Sequence, residues 1–126
     1  MLYTIKSQKK IEEIQSALEE SAARHKFGIL AVHNLRETMK KKGVEFGTDC
    51  WIYEVCNPVQ AKKVLEANGA VSTALPCRIS VYGKEGSYTL ATILPTALMK
   101  MFASAELEPV AQEVETVIKA MMQDAA

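Results

Sequence analysis

Arg78-Ile79-Ser80-Val81-Tyr82-Gly83-Lys84-Glu85-Gly86-Ser87-Tyr88-Thr89-Leu90-Ala91-Thr92-Ile93-Leu94 decides the fold. Two runs rich in branched and aromatic residues flank Lys84-Glu85-Gly86, and a short glycine-containing gap of this kind is what an antiparallel hairpin needs. Upstream, Thr48 to Val55 carries Trp51, Ile52, Tyr53 and Val55, which suit a third strand. Phe27 to Val32 reads as a short buried strand, and Met1 to Lys6 as an opening one.

The intervening segments have helical periodicity. Ser7 is the expected cap of a helix whose apolar residues Ile11, Ile14, Leu18 and Ala22 recur at spacings of three and four. Leu35 to Lys42 makes a short charged helix closed by Gly43, with Lys40-Lys41-Lys42 offsetting its dipole. Asn57 caps a helix that starts at Pro58 and stops at Gly69. Pro95 opens a short helix through Phe102, in which Leu98, Met101 and Phe102 are expected to pack, and Pro109 opens a last one with Val110, Val114, Val117, Ile118 and Met121 on one stripe. The terminal Asp124-Ala125-Ala126 is expected to fray.

This order predicts one α+β domain over residues 1–126, a two-layer sandwich with a mixed or antiparallel sheet and helices on one face. Large apolar residues occupy both alternating sets of the strands, so the second face is expected to be buried in a homodimer or to line a groove for a small molecule. Fifteen basic and fifteen acidic residues cancel, which excludes the broad positive field that nucleic acids or anionic membranes attract. No apolar run approaches the ~20 residues needed to span a bilayer, and the opening residues read as a strand rather than a signal peptide. Three cysteines, an odd number in a chain with an adequate core, argue against a disulfide framework, and the expected location is cytoplasmic.

The candidate chemistry lies at Cys56-Asn57-Pro58, a thiol where a strand hands over to a helix. The free amides of Val59 and Gln60 and the positive end of the helix dipole are expected to help Cys56 ionise, which suits redox exchange, persulfide carriage or soft-metal binding. A buried, inert cysteine is the competing reading. Cys77 opens a strand 21 residues later, and antiparallel pairing beside Thr48 to Val55 would bring its thiol to Cys56. No close cysteine pair indicates a zinc site, so no metal is assigned and no cofactor is named. His33 joins the thiols only if its strand ends on the same edge, His25 suits a helix end, and Glu54 is a possible base two residues before Cys56. Met99 and Met101 form a soft-donor pair in sequence, with core packing the plainer account.

These motifs resemble the domain-of-unknown-function family DUF302. The likeness rests on Cys56-Asn57-Pro58 and on Leu75-Pro76-Cys77-Arg78-Ile79-Ser80-Val81-Tyr82, supported by Phe27-Gly28-Ile29-Leu30, Lys42-Gly43-Val44-Glu45-Phe46 and Leu107-Glu108-Pro109. It implies a small, dimeric two-layer α+β domain with no named biochemical role, and motif positions Cys56, Asn57, Pro58, Leu75, Pro76 and Cys77. This chain departs from the pattern at His33, in a stretch where relatives carry an acidic residue, and at Leu94, where an aspartate precedes the proline. Two functional readings follow: a dimeric ligand-binding or thiol-redox module acting through Cys56 and Cys77, or a non-catalytic structural or interaction module whose cysteines only pack.

Overall fold

The computed structural model describes residues Met1–Ala126. Its elements run β1 (Leu2–Ser7), α1 (Ile11–Arg24), β2 (Gly28–Asn34), α2 (Leu35–Lys41), β3 (Asp49–Cys56), α3 (Pro58–Ala67), a 3₁₀ turn (Gly69–Ala74), β4 (Cys77–Lys84), β5 (Ser87–Ile93), α4 (Pro95–Met99) and α5 (Leu107–Ala125). The five strands form one sheet in the order β1-β5-β4-β3-β2, every neighbouring pair antiparallel. It is the expected α+β sandwich, without a parallel pair.

The β4–β5 hairpin closes through Glu85 and Gly86, with Lys84 opposite Ser87. Gly86 has φ +86° and Gly83 φ +127°. A Cβ at Gly83 would lie 2.4 Å from the Ser87 carbonyl oxygen, so only glycine lets the two backbones approach this closely. Gly43, with φ +78°, follows α2 as expected.

Strand register sorts the side chains. Tyr53, Val55, Ile79, Val81, Tyr88 and Leu90 face the helices and are almost fully buried, meeting Ile14, Leu18 and Ala22 of α1 and Ile118, Met121 and Met122 of α5. Each Val, Leu, Ile and Met side chain among them contributes about 1.5–3 kcal/mol through its burial, which is why this layer holds the domain together. A smaller cluster of Val64, Val71, Met99, Leu107 and Ala111 joins α3, α4 and α5 at one end.

Four local expectations change. Ser7 does not cap α1: it ends β1 opposite Tyr88, and its hydroxyl donates to the Ala126 carbonyl, because pairing with β5 extends the strand through it. Lys10 occupies the cap position instead. The chain terminus is tied down rather than frayed, with Ala125 fully buried and Asp124 accepting from Ser21 Oγ at 2.7 Å and Arg24 at 2.8 Å. Gly69 does not stop α3; Asn68 does, and its side chain accepts from the Ala70 amide to start the 3₁₀ turn. The last helix begins at Leu107, two residues before Pro109, a position where a missing amide hydrogen costs little because the first turn has no internal acceptors for it.

One polar contact pins the core to its rim. Tyr88, buried in the sheet, donates its hydroxyl to Asp49 Oδ2 at 2.6 Å, while Arg36 donates to Oδ1 at 2.9 Å. The Tyr88 hydrogen bond, with help from Arg36 and against partial burial, holds the Asp49 carboxyl below its usual range. Burial and the same bond push the Tyr88 phenol up. A depressed carboxylate adds stability at pH values above its unfolded pKa and loses it as pH falls through the folded one. Tyr88→Phe is therefore expected to cost about 2 kcal/mol at pH 7 in urea unfolding, as for a bond to a charged group. It should also flatten the loss of stability on acidification; an unchanged acid limb would show that Arg36 alone sets the Asp49 carboxyl.

Candidate functional site

Cys77 stands opposite Val55 in the β3–β4 ladder, so Cys56, the next residue of β3, comes beside it where β3 ends. The antiparallel pairing expected from sequence is present. Asn57 then turns the chain into α3, its side-chain oxygen accepting from the amides of Val59 at 3.0 Å and Gln60 at 3.2 Å, with Pro58 at the first helical position.

Both thiols line one narrow cleft at the seam between the two hydrophobic clusters. Phe27 and Val55 close it from the sheet side, Ala61 and Val64 from α3, Met99 from α4, and Val114 from α5. Eleven of its 14 lining residues are hydrophobic, and none is Asp, Glu, His, Lys or Arg. Its free volume is about 40 Å³, room for roughly three waters. Thr96, at the start of α4, donates from its amide and hydroxyl to Glu115 Oε1, which fixes α4 against α5 and so the position of Met99.

Burial raises the pKa of the Cys56 thiol. It pushes Cys77 up to about 11, with the neighbouring Cys56 adding to the effect. This is opposite to the easier ionisation expected for Cys56. The reason is local: Asn57 takes both amides that would otherwise have stabilised a thiolate, and the apolar walls remove water without replacing its hydrogen bonds. At neutral pH both groups are thiols.

Gln60 is a lining residue that sequence reasoning missed. Its Nε2 donates to Glu113 Oε2 at 2.7 Å, which sets the amide's orientation, and leaves Oε1 buried without a hydrogen-bond partner. A buried acceptor of this kind costs about 1–3 kcal/mol when left unpaired. Met99 and Met101, a soft-donor pair in sequence, separate in the structure. Nothing in the local sequence distinguishes the two, but α4 ends at Met99, so Met99 is 7% exposed and in the cleft while Met101 is 77% exposed outside it, against the core role expected for it.

The other candidates lie elsewhere. His33 pairs with Ile52, four residues from Cys56 along β3 and so ~13 Å away. Its Nε2 lies 3.0 Å from Glu54 Oε2, and Arg78 reaches the other Glu54 oxygen at 3.8 Å, so Glu54 belongs to a surface ion cluster rather than to the thiols. The His25 Nδ1 contacts the Ser21 carbonyl at the end of α1. Cys50 lies opposite Tyr82, six residues from Cys56 on the same strand. No group of three or more His, Cys, Asp and Glu side chains comes together to hold a metal ion. A roomier polar hollow of about 420 Å³ lies beside α2, but its charges are of both signs and Arg36 and Asp49 neutralise each other there.

The family model described as "Domain of unknown function DUF302" matches residues 3–125. The chain belongs to this family. A crystal structure of an uncharacterized conserved DUF302 protein from Bacillus stearothermophilus is 32% identical, covers 99% of this chain and 98% of its own, and superposes with a TM-score of 0.92. No curated protein matches the chain. The DUF302 assignment agrees with the sequence resemblance and with the fold, and it brings no biochemical role. No helix of this DUF302 domain is long and apolar enough to cross a membrane.

Proposed function

We propose that this DUF302 domain is a binding module that takes a ligand of only a few atoms between Cys56 and Cys77, and that it works as a homodimer. The observation that carries the reading is the convergence of the two thiols on one uncharged cleft. Size decides the ligand class. Organic ligands of drug size occupy roughly 300–1,000 Å³, and the cleft offers about 40 Å³. The raised thiol pKa values favour binding over a thiolate nucleophile that turns over at neutral pH. Three unpaired cysteines suit a reducing compartment, and we take the cytoplasm as its place of work.

Reagent size and pH test this in a Cys50→Ser background. Methyl methanethiosulfonate, small and neutral, is expected to modify Cys56 and Cys77 in the folded protein, slowly at pH 7 and faster as pH rises toward the Cys77 value of about 11. The bulky dianionic dithionitrobenzoate reagent should react only after unfolding. If both reagents need unfolding, the cysteines merely pack, which is the structural alternative.

The homodimer rests on the sheet face without helices. One row of it, Thr4, Ala91, Ser80, Ile52 and His33, crosses all five strands, and around it Leu2, Ile93 and Tyr82 are 62%, 49% and 41% exposed. Small residues in the middle and apolar ones outside make a flat surface that a second sheet can approach closely. Sedimentation equilibrium is expected to return twice the 13.9 kDa chain mass. Tyr82→Lys should shift it to one chain; a wild-type monomer at all concentrations would remove the dimer.

A further inference from the structure

We propose that the few-atom ligand is a soft monovalent metal ion, Cu(I), held by the sulfur atoms of Cys56, Cys77 and Met99. This rests on the binding reading above and narrows it to one chemistry. Those three residues are the sulfur-bearing side chains of the cleft, and they arrive from three different elements, β3, β4 and α4. The cleft holds no carboxylate or imidazole. Hard cations such as Mg²⁺ and Ca²⁺ need several oxygen ligands, and Zn²⁺ seeks four donors of nitrogen, sulfur or carboxylate type. Soft thiolate and thioether donors suit Cu(I), Zn²⁺ and Fe–S clusters; the latter two take four protein ligands, so three sulfur donors fit Cu(I).

The chemistry of capture balances without a redox partner. Both S–H bonds break, the two protons leave to solvent, two S–Cu bonds form, and no electron moves. The unit of two thiolates and one Cu(I) carries a single net negative charge, half of what two bare thiolates would place in the apolar cleft. The ion also answers the mutual repulsion that two ionised sulfurs would otherwise feel in an apolar setting. A thioether from Met99 adds a third, neutral donor and no charge. Fixing α4 to α5 through Thr96 and Glu115 keeps that donor from drifting away when the cleft is empty.

The small volume serves this role as well. A void of about 40 Å³ admits an ion stripped of its water and leaves no room for the glutathione or chelator that delivered it. Such a site would take Cu(I) by ligand exchange at its mouth and then shield it from oxygen and bulky thiols.

The test is an anaerobic titration of the reduced Cys50→Ser protein with Cu(I) against bicinchoninate. One Cu(I) per chain is expected to leave the chelator, with sulfur-to-copper charge-transfer absorbance in the ultraviolet and only sulfur neighbours in copper X-ray absorption. Cys56→Ser and Cys77→Ser should each lose stoichiometric binding, and Met99→Leu should weaken it without abolishing it. Cys77→Ala replaces Cys77→Ser if the serine variant does not fold. Retention of all Cu(I) by bicinchoninate overturns the proposal, as does binding unaffected by either cysteine variant. If Cu(I) fails while methyl methanethiosulfonate still enters at both thiols, the accessible thiol pair stands and only the metal falls. If that reagent also fails, the accessible site is gone and the metal with it.

Discussion

The pairing of Val55 with Cys77 is the constraint on which the site depends. A one-residue slip in this ladder would turn every side chain of one strand to the opposite face, so the register is fixed by the whole row of buried residues on the helix side. Tyr53 and Ile79 are partners, as are Trp51 and Val81, and their packing against α1 and α5 selects one alignment. The thiols are thus brought together by hydrophobic burial some distance from them. They need no bond of their own to stay adjacent.

The same sandwich explains why the cleft is small and apolar. Two hydrophobic clusters meet imperfectly where α3, α4 and α5 close over the end of the sheet, and the thiols occupy the gap. Desolvation there works against ionisation, while the amides of α3 that might have countered it are committed to Asn57. A site with these properties suits a ligand that displaces protons better than a reaction that needs a free thiolate. Its position also keeps the cleft away from the helix-free face of the sheet, so the proposed ligand site and the proposed dimer surface do not compete.

Most of the sheet was legible in the sequence because its signals are local. The Glu85-Gly86 turn, the alternation around Tyr88 and Leu90, and the Asn57-Pro58 start each depend on a few adjacent residues. The misread features depend on distant partners. Ser7 looks like a cap until β5 claims it as a strand residue, and Ala125 looks like a frayed end until the main core buries it. Asn57 was read correctly as a cap, yet the consequence for Cys56 was inverted, since capping by a side chain removes the donors from the thiol. Met99 and Gln60 became part of the site only through the docking of α4 and the bond to Glu113, neither of which leaves a mark in their own sequence neighbourhoods.

The adjacency of the two thiols in the folded chain is tested most directly by a short bifunctional cross-linker, ethylene bis(methanethiosulfonate), applied to the Cys50→Ser protein under native conditions and followed by peptide mass mapping. The account predicts one bridge within a single chain, joining the peptides of Cys56 and Cys77. Two separate half-reacted adducts, or bridges only between chains, would contradict it.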